Sequence, residues 1–435
     1  MAEQRTSNTF YKAATIGLLF CVCALLLIIA ILLGHPIPHT DLVATTNSAQ
    51  EAAHDSSVQT SHQNDTRAAK HESNDKTPDL NNTGKAAHDS VSPPKVPESV
   101  KVTQIRGIHS LKDVGIPLGV KKVDCAFSMD LVNLEGLPPS VKEVDCQRSS
   151  ISSLKGLPDG IEYVNCQNCP NLTSLSGLPK GIKKIDFSLC SGITDFTGLV
   201  DGVKEINCSG SRLERLKGLP DGVERLNCNS CSSLVSLKGL PASIRMLECA
   251  GCQGLTSLEG LQRGVKEIHC GYCVNLKNLA DLPEGVEKLD CNNCWLITTL
   301  GGIPKGTKEI NCEGCFRLES LRRLQDGLFS LNCKGCLGLK NLEGLPAGVK
   351  EVDCSGCSII SLTGLPNGVE LVKCVDCGAL QDLTGLPNSV KRVDCSNCLR
   401  LVSLEGLPAN VQRVTIRGCV SLRDIQAPPG VEILR

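Results

Sequence analysis

Aromatic residues are nearly missing from this chain, with one Trp, three Tyr and seven Phe in 435 residues. A globular enzyme of this length normally buries many more rings, so the core has to be aliphatic. A dominant charge is missing too. Lys and Arg number 45 against 46 Asp and Glu, a formal net charge of -1, so there is no global basic field for nucleic acid. No nucleophile–base set, phosphate-cradling loop or metal constellation stands out. The chain therefore reads as a non-enzyme, with no cofactor, no nucleic acid and no small-molecule substrate. What it has in excess is cysteine and glycine, 27 and 41 residues. In a short secreted chain that would mean a disulfide scaffold, but here the period has to be read before the cysteines.

Three segments follow one another. Residues 1–12 carry Arg5 and Lys12 ahead of the uncharged, apolar run 13–34. Those 22 residues, at about 1.5 Å each, are long enough for a bilayer core. The run is longer than a signal peptide's and has no small-residue cleavage site, so an uncleaved single-pass anchor is expected. The positive-inside rule then puts residues 1–12 in the cytoplasm of the making cell and the rest across the membrane. Cys21 and Cys23 lie in this run as apolar filler. Residues 35–96 have no aromatic residue and are rich in Ser, Thr, Asn, Asp, His and Lys; they read as a disordered polar tether.

From Pro97 to Arg435 everything is repeat. The unit is V-x-x-V-x-C-x-x-C-x-x-L-x-x-L-x-G-L-P-x-G. Its first-cysteine slot recurs sixteen times at intervals of 20 or 21, from Ile105 through Cys125, Cys146 and Cys166 to Ile416, and a partial unit follows. The pattern matches the leucine-rich repeat consensus, which predicts a mostly β solenoid. Each unit gives a short strand to a curved parallel sheet on the concave side and returns along the convex side through Gly- and Pro-rich backbone. With its 20–21-residue period and L-P step, the domain resembles the short leucine-rich repeats of effectors secreted by some Gram-negative pathogens. That resemblance implies a binding module. It gives no support for ligase chemistry, because members with that activity carry a further catalytic domain after the repeats.

The pair C-x-x-C occurs ten times between Cys166 and Cys398. Its first cysteine falls in an inward slot that also accepts Ile105, Phe187 and Ile416, all apolar, as a small hydrophobe's slot would. Its second falls where Asn normally bonds the neighbouring turn; Ser128, Ser149, Ser211 and Ile108 replace it. A thiol or hydroxyl there can donate to a backbone carbonyl. Two stacked columns of buried free thiols are therefore expected, with zinc, redox dithiols and disulfides as alternatives. Free thiols in such number persist in reducing compartments. An anchored repeat domain facing a host cell's cytosol, placed there by an exporting bacterium, would reconcile them with the membrane run.

Two polar columns are expected on the concave face. One is of Asp and Asn, from Asp124 to Asp394 with Glu248, His269 and Lys373 as exceptions; beside it runs a Lys/Glu column that includes Lys121, Lys204, Lys308 and Lys391. The more specific anomaly is a run of rings in the ninth to twelfth units: Tyr272, Trp295, Phe316 and Phe329. Arg317, Arg322 and Arg323 are near them in sequence, and the G-L-P step is lost at LRRLQDG. Exposed Trp, Tyr and Arg dominate interface hot spots, so these seven residues are the candidate partner-binding set. The expected function is a membrane-anchored scaffold for a protein partner, an effector at a host-facing membrane. The alternative is a disulfide-stabilised cell-surface adhesin or structural surface protein.

Overall fold

The computed structural model describes residues 97–101, 107–423 and 425–435. Seventeen three-residue strands, numbered β1 to β17 in chain order, run from Ser99–Lys101 (β1) and Lys122–Asp124 (β2) to Arg413–Thr415 (β16) and Glu432–Leu434 (β17). Each pairs in parallel with its neighbours, in one sheet. At about 4.8 Å per strand the sheet is roughly 80 Å long. Each strand alternates polar–apolar–polar. In Glu309–Asn311 (β11) the middle residue, Ile310, is buried and the outer two point away from the core. Ile310 faces Leu289 of Lys288–Asp290 (β10) on one side and Leu331 of Ser330–Asn332 (β12) on the other.

Parallel strands need a crossover. Here it is the rest of the repeat, where two leucines such as Leu318 and Leu321 turn inward and are fully buried. The apolar columns merge into one continuous aliphatic core, with Phe187 and Phe196 meeting edge-on at 6.0 Å as its ring pair. No rung buries its own face, so stability comes from stacking. The fold is a leucine-rich repeat solenoid with 20–21-residue turns.

The convex return is tight enough to dictate glycine. At Gly344 φ is 101°, and a Cβ would sit 2.6 Å from the Cα of Arg322 in the preceding rung. The equivalent position one rung earlier holds Arg323 at φ 77°. Gly301, in the rung before that, leaves room: a Cβ there would be 3.6 Å from the Arg323 Cδ. The lost G-L-P step is thus a strained variant with a compensating glycine beside it.

One boundary differs from the spacing argument. Ser99, Val100 and Lys101 face Lys122, Val123 and Asp124, so the strand of the first unit ends at Lys101, three residues earlier than a slot at Ile105 requires. Ile108 then takes the place of Leu131, an inward leucine, and is not the counterpart of a second cysteine. The first unit is longer than the others and contains a 3₁₀ turn, Leu111–Val114, capped by the Ser110 hydroxyl, which accepts from the Lys112 N–H. The segments 1–12, 13–34 and 35–96 lie outside the described residues, as does Ile105. Among those described, no helix is long and apolar enough to cross a membrane.

Candidate functional site

The two cysteine columns do different work. The second-cysteine thiol donates to the carbonyl of the first cysteine one rung back: Cys294 to Cys270 at 3.2 Å, Cys315 to Cys291 at 3.2 Å and Cys336 to Cys312 at 3.2 Å. Where serine replaces it, the hydroxyl makes the same bond, from Ser149 to Cys125 and from Ser211 to Phe187. The first-cysteine thiol donates forward instead, Cys312 to the Asn332 carbonyl at 3.3 Å and Cys354 to that of Lys373 at 3.2 Å. Sulfur therefore fills the core and also ties each rung to both neighbours. Burial pushes the Cys125 thiol up to about 12. In the paired rungs the neighbouring thiol and burial together push Cys291 well above the ordinary value; the same contact lowers Cys315, and burial opposes ionisation of both. Among the described residues no group of three or more His, Cys, Asp or Glu is arranged to hold a metal ion.

The residue before the second cysteine is left-handed in rung after rung, at Gly314 (φ 70°), Asn293 (φ 55°) and Tyr272 (φ 58°). The C-x-x-C spacing is the spacing of this turn. The Asp/Asn column serves it. Asp290 Oδ1 accepts from the Asn292 N–H at 3.1 Å, and the same bond recurs at Asp145, Asn165, Asn311 and Asp353. These are Asx turns, which only Asp and Asn make well. The column is also laced across rungs, as from Asn311 Nδ2 to Asp290 Oδ1 at 3.0 Å. At His269, in Glu267–His269 (β9), the ring lies 3.9 Å from Asp290 Oδ2. Hydrogen bonding to Asp290 raises the His269 pKa, against the cost of partial burial; Asp290, Glu248 and Glu267 add to the rise.

The Lys/Glu column is likewise self-paired, with Glu287 between Lys266 (3.1 Å) and Lys308 (2.6 Å), and Glu370 between Lys350 (3.5 Å) and Lys391 (2.6 Å). All of these side chains are well exposed, where such pairs are worth about 0–1 kcal/mol each. The concave face is thus a solvated ladder of neighbour-to-neighbour contacts.

Of the seven candidate residues, the structure brings two into direct ring contact. Trp295 and Phe316 stack with ring centroids 6.2 Å apart and a tilt of 32°, both half-buried, just past the turn at one edge of the sheet. Arg317 follows Phe316 and is exposed. Tyr272, 53% exposed, sits on the left-handed turn position one rung earlier. Phe329, also exposed, lies at the other end of the strand row, in the Lys/Glu column between Lys308 and Lys350. Arg322 and Arg323 belong to the convex return, where Arg322 pairs with Glu343 at 2.6 Å. The sequence neighbourhood of the arginines is therefore not a spatial one.

Two residues were overlooked. Reading the repeat one place past the second cysteine gives Val274, Trp295, Phe316 and Leu337 in consecutive rungs. They form an apolar ridge about 15 Å long at the strand spacing. Leu337 is 44% exposed, and Val274 is half-buried. The Trp295 Nε1–H is buried and, among the described residues, is the one buried side-chain N or O atom without a hydrogen-bond partner. Elsewhere an open groove of about 590 Å³ runs along the convex return, lined by Glu214, Arg215, Lys217, Val235 and Lys238 among others.

No family model matches the chain, and no curated protein does. Among solved structures it is similar to YopM from Yersinia enterocolitica, at 18% identity over 78% of this chain and 91% of that one, with a TM-score of 0.37. YopM of Yersinia pestis, described as a leucine-rich effector protein, aligns at 19% identity over 75% and 88%, TM-score 0.38. The functional domain of InlJ from Listeria monocytogenes, described as including a cysteine ladder, aligns at 13% identity over 69% and 73%, TM-score 0.29. At these scores the likeness adds nothing to what the repeat and its register establish.

Proposed function

We propose that the solenoid is a scaffold for a protein partner, tethered to a membrane by residues 13–34, and that the partner docks on the ridge from Val274 to Leu337. The observation that carries this is the Trp295–Phe316 ring stack, half-buried and continued along the ridge by the exposed Leu337. Trp, Tyr and Arg are the side chains that anchor interfaces, and Trp295, Tyr272 and Arg317 lie on or beside the ridge. The polar groups of the concave face are taken up with one another, which supports the edge over the face. The molecule acts by presenting a surface and performs no chemistry of its own. With its repeat thiols reduced, the solenoid faces host cytosol as an effector.

Proximity labelling from the membrane-anchored chain would identify partners. The same labelling with Trp295→Ala plus Phe316→Ala is expected to lose the main partner while the solenoid stays folded by circular dichroism. Unchanged labelling would remove the ridge from consideration. One observation favours the adhesin reading: cysteines of neighbouring rungs are in contact, as where the Cys294 thiol reaches the Cys270 carbonyl. Thiol counting on freshly isolated native protein separates the two readings, with about 25 free repeat thiols for the scaffold and few for the adhesin.

A further inference from the structure

The C-x-x-C spacing looks like a redox dithiol, but its two thiols point apart along the solenoid axis. In the last such motif, Cys395 Sγ donates forward to the Thr415 carbonyl at 3.3 Å, whereas Cys398 Sγ donates back to the Cys374 carbonyl at 3.0 Å. Between consecutive rungs the opposite holds. Cys395 reaches forward into the gap below the next rung, and Cys419 reaches back into the same gap, donating to the Cys395 carbonyl at 3.1 Å. Both thiols therefore sit between the same two rungs, one held by the Thr415 carbonyl and the other by that of Cys395. Access separates this pair from the rest. Of the 25 repeat cysteines, 24 are buried and only Cys419 is partly open to solvent.

We infer that Cys395 and Cys419 form an oxidation site that closes into a disulfide between neighbouring rungs, while the C-x-x-C motifs stay inert. This reading is independent of the partner and of the ridge. The chemistry needs a two-electron oxidant, here a peroxide. Peroxide enters beside Cys419, the open thiol, and Cys395, which its thiol neighbours make the more acidic of the two, takes one oxygen to become a sulfenic acid as the O–O bond breaks and one water leaves. Cys419 then attacks that sulfur; the S–S bond forms, the S–O bond breaks, and a second water carries away the two remaining hydrogens. The other inter-rung pairs make the same hydrogen bonds but are buried on both sides, with no route for the oxidant. The bridge ties two neighbouring rungs together.

The test uses the full-length chain in detergent, treated with hydrogen peroxide, blocked with an alkylating reagent, digested and mapped by mass spectrometry. The expected product is one repeat-domain disulfide, joining the Cys395 and Cys419 peptides, with two fewer alkylated repeat thiols. Cys419→Ser should abolish it without disturbing the fold, because serine makes the equivalent bond at Ser149 and Ser211. Cys398→Ser should leave it intact. A bridge between Cys395 and Cys398, bridges scattered over buried rungs, or an oxidised Cys419 that never links to Cys395 would each overturn the assignment.

Discussion

The concave strand face and the edge just past the turn are built from the same repeat, yet they spend their polar groups differently. On the face, Asp290 caps its own turn and holds the next rung's Asn311, and Glu287 bridges two lysines. On the edge, four consecutive rungs carry apolar side chains that are half-buried or, at Leu337, exposed, and the Trp295 donor is left unpaired. A regular column of charge is therefore poor evidence for a binding site, because a repeat that must hold its neighbours generates one by translation. A local break in the column is better evidence.

The largest expected effect comes from emptying the edge. Trp295→Ala with Phe316→Ala should weaken partner capture by roughly 30- to 1,000-fold, the range of a hot-spot loss of about 2–4 kcal/mol. Replacing Lys308 and Lys391 with Ala should change it less than about threefold, as expected for exposed, screened pairs. Equal losses from both variants would erase the distinction between the regions.

The next effect separates the cysteine columns. Cys312→Ser should cost about 1–3 kcal/mol in denaturant unfolding, since its slot otherwise takes Cys or an apolar residue such as Phe187. Cys315→Ser should cost less than about 1 kcal/mol, because a hydroxyl already serves in that slot at Ser149 and Ser211. Reversed costs would mean that the column assignment is wrong.

A smaller and opposite pair of effects is expected at Trp295 and Asp290. Trp295→Phe removes an unpaired buried donor and should leave stability equal or higher by up to about 1 kcal/mol while weakening capture. Asp290→Ala loses its turn cap and should cost about 1–2 kcal/mol with capture unchanged. Thermal melts and capture measured on the same preparations would show whether stability and binding separate in this way.

The smallest effect is a pH dependence on the concave face. Asp290 raises the His269 pKa, with Glu248 and Glu267 adding to it, so the protonated ring stabilises the fold. That contribution is fully present below the unfolded-state value of about 6.5 and fades as pH rises through the higher folded value. His269→Gln should flatten this slope in melts between mildly acidic and neutral pH. An unchanged slope would show that the pair is not formed.

The solenoid could be read from the sequence because stacking demands the same apolar residue at the same place in every turn, and that demand survives as a 21-residue period. The first unit was misplaced because it is longer and has no cysteine to mark it; only strand pairing to Lys122–Asp124 set its register. The Asp/Asn column was visible but its role was not. The signal lay in chemistry rather than charge, since Asp and Asn share a side-chain acceptor that Glu lacks at that reach. The ring pair was found from its scarcity, whereas Val274 and Leu337 escaped because Val and Leu are common throughout. Arg322 and Arg323 looked close to Phe316 along the chain, but the turn after Leu318 carries them to the convex side.

The central claim is that the edge, and not the concave face, is the working surface. Hydrogen–deuterium exchange on the chain alone and bound to its captured partner tests it most directly. Slowed exchange in the turns around residues 272–275, 293–296, 314–317 and 335–338, with the strands of the concave face unchanged, is the predicted outcome. Protection centred on the strand rows, with those four turns unaffected, would contradict the account.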